Sequence, residues 1–269
     1  MSIQGGAFVR AAKRHDAEGL GCEDAAWVEL RGSKAFAVVC DGCSSGEDSG
    51  LTAKVLARAA SAAWLSGVPI GPALGQAAWM RASGALAGLG VDASRGPATL
   101  LAMEVEQSED GSSALAKFAL WGDGVAGWRS GAGQAGGWEG KSSGNRPCYP
   151  AYAFNELLWD AHQAAGGSAC SWEALEMGQG ALSIAAGWRC SEGSAILGDG
   201  DCVALLSDGA LAIEGVGIGE ALSELLRGSG PGSFVQRRAR SAIESWLKNG
   251  ARLGDDFGMA CLRWTRGEE

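Results

Sequence analysis

The chain has 269 residues, enough to bury a core unaided, and its 46% apolar and 20% charged side chains make a globular rather than a disordered composition. The 31 acidic against 22 basic residues leave a net charge of -9, which repels phosphate backbones and anionic lipid. Neither nucleic acid nor a membrane is therefore expected as a partner, whereas cations would suit the chain if its carboxylates converge. There is no run of about 18 apolar residues to span a bilayer. No apolar segment near the start precedes a small-residue cleavage site. The expectation is a cytoplasmic protein whose eight cysteines stay reduced. Cys40 and Cys43 form the single CxxC, and no second pair or nearby histidine completes a zinc site.

In chain order, Ala25 to Leu30 and Lys34 to Cys40 read as strands joined by Arg31-Gly32-Ser33. After the loop DGCSSGEDSG, Leu51 to Leu65 carries Val55, Leu56, Ala59 and Ala63 on one face and predicts a helix; Pro72 to Leu89 predicts a second. Thr99 to Glu106 alternates and predicts a strand with one wet face. Ala116 to Trp121 and a short segment through Trp128 follow as strands around Gly122-Asp123-Gly124. Ser130 to Pro150 is rich in Gly, Ser and Pro and reads as a loop, with little regular signal up to residue 180. Strands are expected at Ser183 to Cys190, Cys202 to Leu206 and Gly258 to Thr265, and helices at Gly219 to Arg227 and Ser233 to Leu247. Strand pairs with helices inserted in blocks argue an α+β fold, a sheet sandwich covered by helices, and residues 1–269 are expected to form a single domain.

The informative residues are aspartates at strand ends. Asp41 closes AFAVVC and precedes Gly42, Asp208 closes VALLS and precedes Gly209, Asp24 opens a strand, and Asp255-Asp256 open the last one. A carboxylate at a strand end stays out of the core, and a following glycine lets the backbone turn past a ligand. Asp-Gly is also a common turn dipeptide, so each case alone reads first as a turn. Strands of one sheet ending together would crowd these like charges, which then need a cation; oxygen-only donors suit magnesium or manganese.

The order of these segments resembles the metal-dependent Ser/Thr protein phosphatases of the phosphatase-2C type, in particular their compact bacterial branch. The segments are RHDAEGLGCEDAAW, AVVCDGCSSG, ATLLAMEV with ALWGDGVAGW, CVALLSDGAL and GDDFGMACL. The resemblance implies two packed antiparallel sheets flanked by helices, with two Mn2+ or Mg2+ ions and a weaker third at one sandwich edge. It implies that Asp41 bridges the two ions, with the Gly42 carbonyl as a further ligand. Asp208 and Asp255 would hold the first ion, Asp24 would act around the second, and Asp123 with Asp208 would mark the third. Asp41 and Asp208 are thus the expected catalytic pair, and Glu23 and Asp256 stand in support behind the ligands. The implied reaction is hydrolysis of phosphoserine and phosphothreonine in proteins by metal-activated water, within bacterial signalling beside a cognate Ser/Thr kinase. His15, Arg14 and Cys43 are candidate substrate contacts. The chain departs from the pattern where Cys43 stands in place of a histidine and Gly19 in place of an arginine. These departures motivate the alternative, a non-catalytic module on the same fold that binds phosphoproteins.

Other signals read as structure. The run from Ala135 to Lys141-Ser142 fits a loose phosphate-binding pattern, and Gly131-x-Gly133-x-x-Gly136 a dinucleotide one. Both lack the helix their chemistry requires, given Gly144, Pro147 and Pro150 just beyond. Trp27, Trp64, Trp79, Trp121, Trp188 and Trp264 are expected in the core, with Trp138 a candidate cleft residue. Arg237, Arg238 and Arg240 read as a solvated helix face.

Overall fold

The computed structural model describes residues 2–19, 21–178, 181–187, 189–227 and 232–266. The chain runs β1 (Ser2–Arg10), α1 (Lys13–Glu18), β2 (Ala25–Arg31), β3 (Lys34–Cys40), α2 (Ser49–Leu65), α3 (Pro72–Gly88) and β4 (Leu100–Gln107). Next come β5 (Ala114–Trp121), β6 (Gly124–Arg129), β7 (Ala135–Lys141), α4 (Pro150–Ala153), α5 (Glu156–Ala164), β8 (Ser171–Ala174), β9 (Ser183–Ala186) and β10 (Ser191–Leu197). It ends with β11 (Cys202–Leu206), β12 (Ile213–Glu214), α6 (Ile218–Leu225), α7 (Gly232–Lys248), β13 (Arg252–Leu253) and β14 (Phe257–Thr265). Two six-stranded sheets have the orders β1-β14-β11-β6-β7-β8 and β2-β3-β4-β5-β10-β9, and β12 pairs with β13 in a small third ribbon. The pairings are antiparallel throughout.

The two-residue period of a strand divides each central strand between two cores. In β3, Ala35, Ala37 and Val39 meet Val203, Leu205, Ala260 and Leu262 of the opposite sheet. Phe36, Val38 and Cys40 point the other way, against Leu56 and Ala60 of α2 and Leu74 and Ala78 of α3. Across the sandwich, Ala204, Leu206, Met259 and Cys261 pack under Leu222 of α6 and Ile243 and Trp246 of α7. The result is four layers, helix–sheet–sheet–helix, as the sequence predicts.

Several details differ from the sequence expectations. The supposedly wet face of β4 is covered by α2: Ala102 is buried, and Glu104 is 8% exposed and accepts the Trp64 indole N–H. β1 was not anticipated. Part of the expected 130–150 loop is the strand β7, and α4, α5 and β8 lie in the stretch up to 180. The strand expected at Ser183 to Cys190 ends at Ala186, and β10 then begins at Ser191. Trp27 lies at the surface, with Arg58 at 3.7 Å over its ring, and Trp138 is a β7 residue that donates to the Leu182 carbonyl. Trp188 lies outside the described residues. All eight cysteines are free thiols.

Candidate metal centre

Strand register brings the aspartates to one end of the sandwich. Ala25 pairs with Cys40, so the start of β2 meets the end of β3 and sets Asp24 beside Asp41. Val39 pairs with Leu101 and Leu100 with Trp121, which brings the turn holding Asp123 to the same edge. In the other sheet Leu206 pairs with both Met259 and Val125, placing Asp208 and the Asp255-Asp256 pair there as well.

The backbone fixes the Asp41 loop closely. The Asp41 N–H donates to Thr99 Oγ1 at 2.9 Å, and its carbonyl accepts the Thr99 N–H at 2.8 Å. The Cys43 N–H reaches the Pro97 carbonyl at 3.0 Å. Gly42 between them bridges to Ala98, and its carbonyl accepts no hydrogen bond among the described residues. A Cβ at Gly42 would stand 2.8 Å from the Ser49 carbonyl carbon, so only glycine lets this loop lie against the start of α2.

Burial, with neighbouring negative charge, raises the pKa of these carboxylates. Asp24 is 2% exposed, and among the described residues neither of its oxygens has a hydrogen-bond partner of acceptable geometry. Burial pushes its pKa up to about 7, helped by the charges of Asp256 and Asp208 and opposed by the nearby Ser207 hydroxyl and Asp41 side chain. Asp41 is raised well above the carboxylate range by burial and by its contacts with Asp24 and Asp208. Burial and the Asp208 charge take Asp123 up to about 6. Burial, with Asp208 and Asp256, raises Asp255.

Asp256 is engaged differently. Its oxygens accept the Ala12 and Glu23 N–H groups, each at 2.6 Å, and His15 Nδ1 lies 2.9 Å from Oδ1. Among the described residues, Asp255 accepts only the neighbouring Asp256 N–H, at 2.9 Å. His15 is 2% exposed, between Asp256 and Glu23 Oε2 (3.9 Å), and Arg14 Nη2 stands 3.0 Å from its Nε2. Burial disfavours the charged imidazole, but Asp256 and Glu23 outweigh it and raise the pKa. Glu23 Oε1 accepts the Ser49 hydroxyl at 3.1 Å. His15, Glu23 and Asp256 each offer one donor atom within 4.8 Å of the others. Arg14 and His15 therefore belong to this flanking group, while Cys43 stands on the Asp41 loop with its thiol 3.2 Å from the Ser45 hydroxyl.

The donor set suits a hard divalent cation. Among the described residues, a buried carboxylate whose oxygens have no hydrogen-bond partner of acceptable geometry, a backbone carbonyl that accepts no hydrogen bond and several neighbouring aspartates make a site that positive charge would complete. Sequence reasoning missed Thr99, Ser207 and Tyr149. Ser207, whose Oγ accepts the Gly258 N–H at 2.9 Å, stood in the LLSDG run without a role. Tyr149, buried with its ring edge-on to Tyr152, was hidden in the presumed loop.

No known family's sequence profile and no curated protein matches the chain. Solved structures do. The serine/threonine phosphatase of S. agalactiae superposes with a TM-score of 0.58 at 12% identity, over 98% of this chain and 100% of that one. The catalytic domain of the serine threonine protein phosphatase PstP, solved with 2 manganese ions, gives 0.55 at 15% identity over 98% and 99%. RsbX, in complex with magnesium, gives 0.53 at 11% over 97% and 94%. At these identities the likeness concerns architecture, and the chain has the α+β sandwich fold of phosphatase-2C-type phosphatases.

Proposed function

We propose that the chain is a single-domain, metal-dependent phosphatase acting on phosphoserine and phosphothreonine in proteins, opposite a Ser/Thr kinase in the cytoplasm. The observation that carries this reading is the Asp24–Asp41–Asp208 cluster: a buried Asp24, with neither oxygen hydrogen-bonded in acceptable geometry among the described residues, near the half-buried Asp41 and Asp208, at the sandwich end where the resemblance expects ligands. Among the described residues no helix is long and apolar enough to cross a membrane.

In this reading Asp41, the Gly42 carbonyl, Asp208, Asp255 and Asp24 would hold two Mn2+ or Mg2+ ions, and Asp123 with Asp208 would hold a weaker third. Bound cations would supply the charge that favours ionised water near neutral pH and neutralise phosphoryl oxygens. The chain's own residues hold the geometry. Thr99 fixes the Asp41 backbone, and Asp256 fixes the backbone that carries Glu23 and Asp24. His15 holds Asp256 and Glu23 in place, as a positioning residue.

The test is manganese-dependent release of phosphate from a phosphothreonine peptide by the native chain and by Asp208→Asn, with manganese affinity measured in parallel. Activity that needs manganese and is lost in the variant supports the reading. A folded native chain that binds the peptide without turnover would replace it with the phosphoprotein-binding module that Cys43 and Gly19 motivate.

A further inference from the structure

Arg129 ends β6, the strand whose first residue, Gly124, directly follows Asp123. The rises from Gly124 to Arg129 span about 17 Å, so Arg129 stands at the end of the sandwich away from the acidic centre. Register sets a row across the sheet: Arg129 pairs with Cys202, and Cys202 pairs with Arg263. Paired residues share a face, and Cys202 lies on the face that α6 and α7 cover. Two guanidinium side chains are thereby drawn in under these helices. Arg263 donates from Nη2 to the Leu226 carbonyl at 3.1 Å. Arg129 has no such anchor. Its Nε is buried without a hydrogen-bond partner, and it forms no ion pair among the described residues. A Cβ at Gly133 would stand 3.3 Å from its Nη2, so the guanidinium reaches beside the turn from β6 to β7.

A cavity of about 460 Å³ opens there, between that turn, α6 and α7. Arg129 lines it together with the hydroxyl-bearing Ser223, Ser241 and Ser245 and the ring of Trp246. The nearby carboxylates are engaged elsewhere. Glu224 is shared by Arg227 at 3.3 Å and Arg238 at 3.6 Å. Glu220 is exposed in the first turn of α6, where water and the positive end of the helix balance its charge. Asp201, bordering the turn, gives its two oxygens to the Gly131 and Gly198 N–H groups, each at 2.8 Å. Arg129 is thus left without a counter-charge among the described residues, although the chain carries a net charge of -9. A partly buried guanidinium in this state favours an anion from outside.

We propose that this cavity binds the phosphate group of a small phosphorylated molecule, with Arg129 as its counter-charge. The planar guanidinium can offer two parallel N–H donors to two phosphate oxygens, and serine hydroxyls are the donors suited to the others. A volume of about 460 Å³ exceeds what one phosphate ion fills and falls in the range of small-molecule pockets. The Trp246 ring gives the organic part of the ligand an apolar wall. Nothing in this site draws on the acidic centre, so it stands whether or not the chain is a phosphatase.

The experiment is calorimetric titration at neutral pH in EDTA, which keeps phosphate from binding through metal ions. Inorganic phosphate, adenosine monophosphate and adenosine are titrated into the native chain, Arg129→Gln, Ser241→Asp and Arg81→Gln. Ser241 is exposed on α7, so Ser241→Asp puts a repelling charge at the cavity without disturbing the core, and it carries the test if Arg129→Gln does not fold. Arg81→Gln removes the same charge from α3, in the helix layer across the sandwich. The native chain is expected to bind phosphate and the nucleotide at millimolar concentration or below, and adenosine much more weakly. Arg129→Gln and Ser241→Asp should each weaken binding by about tenfold or more, and Arg81→Gln should not. Tighter binding of the nucleotide supports a phosphorylated molecule as the ligand. Phosphate bound as tightly as the nucleotide overturns that part and leaves the free ion as the ligand. The proposal fails altogether if the native chain binds neither, if adenosine binds as well as its phosphate, if the cavity variants bind like the native chain, or if Arg81→Gln loses as much as they do.

Discussion

The Asp256 carboxylate accepts the Glu23 N–H at 2.6 Å across 233 residues of sequence. The same carboxylate takes the Ala12 N–H at 2.6 Å, and His15 lies against it. One side chain at the head of β14 therefore fastens the whole connection from β1 to β2, including the residue before Asp24. Asp256→Ala leaves two backbone donors and a buried imidazole without their anion. Hydrogen bonds to charged groups contribute roughly 1.5–3 kcal/mol each, so a loss of about 3 kcal/mol or more is expected by urea unfolding. Asp256→Asn, which keeps an acceptor oxygen, should lose less. If the alanine variant is as stable as the native chain, Asp256 is not the fastening.

Stability of the metal-free protein should fall as pH rises. Asp24 and Asp123 ionise in the folded chain at about 7 and about 6, against 3.8 for the ordinary carboxyl. Between these values the native state holds more protons than the unfolded chain, so the unfolding free energy has a negative slope in pH. The contribution is fully present below about pH 4 and is lost as pH passes through 6 to 7. His15, also raised, acts in the same direction. Urea midpoints in EDTA should therefore drop from pH 5 to pH 8, and saturating manganese should flatten the profile. A flat profile in EDTA would mean that burial and neighbouring charge do not hold these carboxylates back from ionising.

Asp24→Asn separates folding from ion binding. The amide keeps the shape of the side chain and removes a buried charge that has no hydrogen-bond partner of acceptable geometry. At pH 8 without metal the variant should melt at a higher temperature than the native chain. With manganese the order should reverse, because only the native chain gains binding free energy. Scanning calorimetry with and without manganese reads both arms. A variant less stable in both conditions would show that Asp24 serves the fold and not an ion.

How much of this was legible in the sequence depended on burial. AFAVVC and CVALL are apolar at every position because both faces of β3 and β11 are covered, so they stood out clearly. β1, an edge strand of middling exposure interrupted by Gly5-Gly6, and β7, with three glycines in seven residues, lacked any such contrast. The aspartates could be found because each marks a strand end. Asp256 bonds over 233 residues to Glu23 and over 244 to Ala12; no local pattern encodes either contact. The covered face of β4 was missed for a related reason: Glu104 reads as solvent-facing until the Trp64 indole is placed over it.

Gly209 sets the spacing between the two acidic strand ends. A Cβ there would lie 1.7 Å from the Asp256 carbonyl oxygen and 2.7 Å from its carbon, both backbone atoms that cannot step aside. Gly209→Ala must therefore push Asp208 away from the Asp255-Asp256 backbone. Overpacking of this kind costs about 1–3 kcal/mol, and the displaced Asp208 should weaken manganese binding by about tenfold or more. Gly217→Ala is the control, since a Cβ at that position meets nothing within 4 Å. Urea unfolding and manganese titration of both variants make the comparison. Native-like binding by Gly209→Ala would show that the position of Asp208 does not depend on this approach, or does not matter to the ion.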